Sequence, residues 1–138
     1  MVSDININVT EQGNHKLAST GSKWEPVMGY SRAVRSGSFI AVTGTVGVNA
    51  DGTYTPSIAA QARRSLEIIQ AAIESLGGTL SHVIRTRMFV TDVSKWEEVA
   101  RVHGEIFADI RPATTIVEVA RLIDEDAMIE IEADAILS

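Results

Sequence analysis

One helical pattern constrains the fold of this chain more than any other feature. Ile58, Ala62, Leu66, Ile69, Ile73 and Leu76 recur at helical spacing until Gly77-Gly78. That spacing puts six apolar side chains on one face of a long helix, and such a face has to be buried against something broad and apolar. Thr55-Pro56 supplies the start signal, a capping hydroxyl followed by proline at the first helical position. The segments on either side alternate with period two, so the helix has a sheet to lie on.

The segment SRAVRSGSFIAVTGTVG reads as a hairpin joined at Ser36-Gly37, where glycine supplies the turn geometry. Gly44 and Gly47 interrupt its second strand. Glycine there marks a bulge or a close approach by another backbone or a ligand. HVIRTRMFVTDV predicts a strand with Ile84, Met88 and Val90 on one face and Arg85, Arg87 and Phe89 on the other. Ser94 to Glu97 has the form of a capping box. It opens a second helix in which Trp96, Val99, His103, Ile106 and Phe107 share a face that ends before Pro112.

Two alternating runs, TTIVEVARL and MIEIEADAI, finish the chain around a polar turn at Asp124 to Asp126. In the second, Ile129 and Ile131 oppose Glu130 and Glu132. The result is an α+β order, ββαβαββ, with two helices packed on one face of a mixed sheet. Its other face carries Phe89 and Ile116 among polar groups, and suits a partner subunit better than water. Residues 1–28 are polar and weakly periodic, broken by Gly13, Gly21 and Pro26. They read as an extended N-terminal arm with room for one short strand, Trp24 being its candidate anchor. At 138 residues, the expectation is a single domain spanning 1–138.

Composition narrows the chemistry. The chain has no cysteine, which removes disulfides, thiolate metal sites and cysteine nucleophiles. His15, His82 and His103 lack the spacing of a metal site, so neither metal nor cofactor is expected. A net charge of −6 with scattered arginines argues against a nucleic-acid partner. Neither a signal sequence nor a membrane-length apolar run is visible, and the expected compartment is the cytoplasm.

GYSRAV with FIAVTGTVG, the helix QARRSLEIIQAAIESLGG, the strand RTRMFVTDV and the ending RPATTIVEVARLIDEDAMIEIEADAIL together resemble the RidA (YjgF) family. The resemblance implies a chorismate-mutase-like fold, a homotrimeric ring and three ligand clefts between neighbouring subunits. It also implies cofactor-free hydrolysis of reactive enamines and imines such as 2-aminoacrylate. Tyr30 matches the tyrosine lining the cleft, Gly44 the glycine approached by the ligand, and Glu130 the glutamate that positions the hydrolytic water, the candidate catalytic residue. The family's signature arginine, which grips a substrate carboxylate bidentately, follows a Pro-Ala pair. Here Pro112-Ala113 is followed by Thr114, and the family's helix asparagine falls on Ala100.

An arginine-lacking subgroup is the expectation, with reduced activity on 2-aminoacrylate. Arg85 and Arg87 pair with the strand carboxylates Glu118, Glu130 and Glu132, or else Arg87 or Arg111 supplies the missing charge. Three functions compete: a small-molecule hydrolase, a metabolite-sensing trimer, and an endoribonuclease, which the acidic balance disfavours.

Overall fold

A computed structural model describes residues 4–138. Its elements are β1 (Asn8–Gln12), β2 (His15–Ser19), α1 (Trp24–Met28), β3 (Ala33–Ser36), β4 (Phe39–Val46), α2 (Ile58–Ser75), β5 (Val83–Val90), α3 (Trp96–Phe107), β6 (Ala113–Glu118) and β7 (Ile129–Ile136). The strands form one seven-stranded sheet in the order β1-β2-β3-β4-β7-β5-β6. Only β5 and β6 run parallel, and α3 supplies the crossover that such a pair requires. The last strand, β7, lies between β4 and β5 and joins the two halves of the sheet.

α2 and α3 cover one face, and the core lies between them and the sheet. Ile58, Ala62, Leu66, Ile69, Ile73 and Leu76 of the α2 stripe are all buried. They meet Ile40 and Val42 of β4 and Ile129, Ile131, Ala133 and Ala135 of β7 in one cluster. Each such isoleucine or leucine contributes about 1.5 to 3 kcal/mol of hydrophobic stabilisation. Val99, Val102 and Phe107 of α3 complete it.

Several local expectations change. α2 is capped by Ser57, whose hydroxyl accepts from the Ala60 amide, because the backbone first turns tightly over Pro56 with the Ser57 amide donating to the Thr55 carbonyl at 2.8 Å. No capping box forms at Ser94. The Asp92 carboxylate accepts from the Ser94 amide and hydroxyl, at 3.0 and 2.6 Å, and so opens a short 3-10 turn that leads into α3. A register shift between Val83 and Arg85 moves Val83 inward and leaves Ile84 47% exposed, so the inward residues of β5 are Val83, Thr86, Met88 and Val90. On β6, Ile116 turns to the helix side and packs on the core, while Val117, register partner of Phe89, takes the open face.

The arm differs most. It forms a two-stranded hairpin that adds β1 and β2 to the sheet, then the short helix α1. Every residue of β1 is exposed, so backbone pairing holds it without any apolar alternation to read. The residue that fastens α1 is Glu25, 5% exposed, and not the half-buried Trp24.

Candidate functional site

A cavity of about 640 Å³ opens beside the junction of β4 and β7. Tyr30, Arg32, Gly44, Tyr54, Asp124 and Glu130 are among the residues lining it. Its geometry starts from a bulge. The β4–β7 register shifts between Val42 and Thr45, and Gly44 lies within that break. Glu130 is the partner of Val46 on one side and Phe89 on the other. As an even-numbered residue of β7 it points away from the helices. A Cβ added at Gly44 would stand 3.0 Å from the Glu130 Cδ, so the glycine makes room for that carboxylate.

Half-buried Glu130 is pushed above the usual carboxylate range by its burial; Arg32 opposes the shift and Glu132 adds to it. A raised value improves the carboxylate as a proton acceptor near neutral pH. Arg32 is 7% exposed, and both terminal nitrogens of its guanidinium have protein partners. It donates through Nη1 to the Gly44 carbonyl at 2.9 Å and to Thr45 Oγ1 at 3.2 Å. Its Nη2 lies 3.5 Å from the Tyr30 hydroxyl and 3.7 Å from the Glu25 carboxylate. Burial alone would raise Glu25. Hydrogen bonds from Ser19 and Thr20, with the charge of Arg32, outweigh that and hold its carboxyl below the ordinary range. The bulge, the tyrosine and α1 are thus tied together by one buried ion pair.

Tyr54 forms another wall. Burial, then Asp124, Asp126 and Glu130, push its hydroxyl up to about 12, so it is a hydrogen-bonding phenol and not a base. The two loops that bring Tyr54 and Asp124 together are tied to α2 by Gln61, which is 1% exposed. Gln61 Nε2 donates to the carbonyls of Thr55 and Asp126 at 2.9 and 3.0 Å, and its Oε1 accepts from the Met128 amide at 2.8 Å. Gly47 explains itself here too, since a Cβ on it would collide with the Gln61 backbone.

Of the residues singled out from the sequence, Tyr30, Gly44 and Glu130 meet in this cavity. Arg87, Arg111 and Thr114 lie elsewhere. Arg87 reaches Glu132 at 3.1 Å and Asp134 at 3.4 Å on the open face of the sheet. Arg111 follows α3 in a left-handed conformation, with φ at 57°. Thr114 sits on the edge strand β6, its hydroxyl oxygen 2.6 Å from that of Thr86. Glu118 accepts from the Val93 amide at 3.0 Å and meets neither arginine. Arg32, Glu25 and Tyr54 join the site although the sequence alone does not flag them. Arg32 lies in GYSRAV, a segment already singled out; Glu25 and Tyr54 carry no periodic signal. Among the described residues no cluster of histidine and carboxylate side chains could hold a metal, and no helix is long and apolar enough to cross a membrane.

The Endoribonuclease L-PSP family model matches residues 20–137. A RutC family protein of Pyrococcus horikoshii is 33% identical over 113 residues, covering 80% of this chain and 89% of the relative. The 2-iminobutanoate/2-iminopropanoate deaminase of Escherichia coli K12 is 35% identical over 111 residues, covering 78% and 86%. Among solved structures, a YjgF/YER057c/UK114 family member from Mycobacterium tuberculosis superposes with a TM-score of 0.83 at 46% identity, covering 89% of this chain and 99% of that one. E. coli TdcF with bound serine superposes with a TM-score of 0.74 at 30% identity, covering 79% and 88%. The sheet order, the two covering helices and these matches agree on a chorismate-mutase-like fold, and the chain belongs to the RidA/YjgF (endoribonuclease L-PSP) family.

Proposed function

We propose that this protein is a cofactor-independent hydrolase of small imines or enamines, working at clefts between the subunits of a homotrimer. The observation that carries the reading is the convergence of Tyr30, Gly44 and Glu130 on one cavity, with a carboxylate whose basicity burial has increased. Glu130 orders the attacking water. Membership in a family that includes 2-iminobutanoate/2-iminopropanoate deaminases and a serine-bound structure favours a small amino-acid-derived ligand. Thr114 and the cavity are separate within one chain, so their cooperation calls for a neighbouring subunit. The exposed apolar residues Phe39, Val117 and Ile136 favour a partner subunit against the sheet.

Position 114 limits the substrate. A threonine hydroxyl offers no charge, and the loss of a charge-assisted bidentate contact costs about 1.5 to 3 kcal/mol. Turnover of 2-aminoacrylate is therefore expected to fall at least tenfold below that of arginine-bearing relatives. The same absence favours a second reading, a metabolite-binding trimer without turnover. Mass spectrometry of a small-molecule panel after incubation separates the two, because a sensor returns its ligand unchanged. Ribonuclease activity is the weakest reading at a net charge of −6.

A further inference from the structure

Thr114 is one end of a part-buried hydrogen-bonded chain. Its hydroxyl oxygen is 2.6 Å from that of Thr86, and Thr86 Oγ1 is in turn 2.8 Å from Nε2 of His103. Thr86 and Thr114 are register partners in the parallel β5–β6 pair, so both side chains emerge on the helix side of the sheet, where His103 descends from α3. Thr86 is completely buried and Thr114 is exposed. The three groups therefore connect the interior to the surface. A valine would fill the place of Thr86 in the core as well, and a buried hydroxyl is normally found where it has partners. Here it has one on each side.

We propose that His103, Thr86 and Thr114 form a proton relay whose outer end serves the ligand cleft, matching the site to an imine or iminium nitrogen in place of a carboxylate. This rests on the reading that Thr114 borders the cleft. A hydroxyl can accept one proton while donating its own, so two threonines transmit a proton without becoming charged. Neutral His103 accepts at Nε2 when Nδ1 carries its proton. At an iminium carbon the water oxygen forms the C–O bond and the π pair moves to nitrogen. The water's proton enters at Thr114, the Thr114 proton passes to Thr86, and the Thr86 proton passes to Nε2. The imidazolium then returns a proton along the same path to the nitrogen. The C–N bond breaks with its pair on the departing amine, the oxygen closes to C=O, and the last hydroxyl proton goes to solvent.

The surroundings suit that direction. Burial lowers His103, which keeps it in the accepting form near neutral pH. The charged side chains on the elements around it are Glu97, Glu98, Arg101 and Glu105 of α3, Arg63, Arg64, Glu67 and Glu74 of α2, Arg85 and Arg87 of β5 and Glu118 of β6. Glu105 is paired with Arg63 at 2.6 Å, Glu118 with the Val93 amide, and none of them shifts the ring.

Nitrogen-15 spectra of the His103 imidazole in the full-length protein test the connection whether or not the protein turns over an imine. Thr114→Val, at an exposed position whose hydroxyl pairs with Thr86 and not with the ring, should move the Nε2 resonance and the titration midpoint. Thr86→Val should move them further, and Thr86→Ser should restore the parent values. The same variants are then assayed against pH on the carboxylate-free imine that an amine oxidase generates from a primary amine. Thr86→Val should lower kcat/KM by on the order of a hundredfold and remove the acid limb that follows His103, with Thr86→Ser recovering both. Unchanged His103 resonances in Thr114→Val, or an acid limb that persists in Thr86→Val, would overturn the relay. A parent protein that never consumes the imine overturns the hydrolase reading instead, and the spectra alone then decide the hydrogen-bonded chain.

Discussion

Gly44 and Glu130 are matched across neighbouring strands, the absent side chain of one leaving the space that the carboxylate of the other needs, with 3.0 Å between an added Cβ and Cδ. Its backbone is not left-handed, so alanine is conformationally allowed there, and the neighbour that has to move is the end of a flexible side chain. Gly44→Ala should therefore fold with little change in melting temperature while displacing Glu130. A catalytic group misplaced by about 1 Å loses on the order of a hundredfold in rate. Gly47→Ala is the contrast: its Cβ would meet the Gln61 Cα at 2.7 Å, where backbone cannot yield, so urea unfolding should report a loss of about 1 to 3 kcal/mol or more.

Glu130→Gln should separate stability from function. Because burial raises the folded-state value above 4.5, the ionised carboxylate costs stability, and that cost develops as the pH rises from 4.5 through the folded value. The glutamine variant should melt higher than the parent at pH 7, and the gap should close in acid. Turnover should vanish. Thermal melts at several pH values, beside an imine-hydrolysis assay, check both halves.

Glu25→Gln should do the opposite. It leaves the buried guanidinium of Arg32 without its counter-charge, which costs about 3 kcal/mol or more. The Glu25 carboxyl is held below its ordinary value of 4.5, so its stabilisation is present above that pH and is lost as the pH falls through the folded value. Urea titrations should show a large difference between variant and parent at pH 7, shrinking in strong acid.

Light scattering in dilute solution should report three chains of 14.9 kDa. Arg87→Glu sets a third carboxylate against Glu132 and Asp134 on the open face and should shift the population toward monomer. A parent protein that is monomeric at micromolar concentration would remove the ring and its clefts together.

Thr114→Arg should create a partial gain in hydrolysis of 2-aminoacrylate, supplied by a pyridoxal-phosphate dehydratase in a coupled assay. The gain is limited because the new guanidinium replaces a hydroxyl bonded to Thr86 and has no partner chosen to orient it. Combined with Glu130→Gln the gain should disappear. A folded trimer that binds no keto acid after Thr114→Arg would favour the non-catalytic reading.

Helical and alternating patterns alone determined α2, the terminal strand β7 and the helix-covered face, because burial of one face forces apolar residues to recur at the spacing of the element. The same logic made Gly44 and Gly47 legible as close approaches. It failed where side-chain spacing does not record the cause. β1 is held by backbone pairing, the inward turn of Val83 by a register shift, and the start of α3 by the Asp92 carboxylate. Only the tertiary structure placed Glu25 under Arg32, Tyr54 beside Asp124 and His103 against Thr86. No helical or alternating spacing links the members of those pairs. Tyr54 follows β4 and Asp124 precedes β7, so their meeting depends on β7 lying beside β4, which no local periodicity encodes.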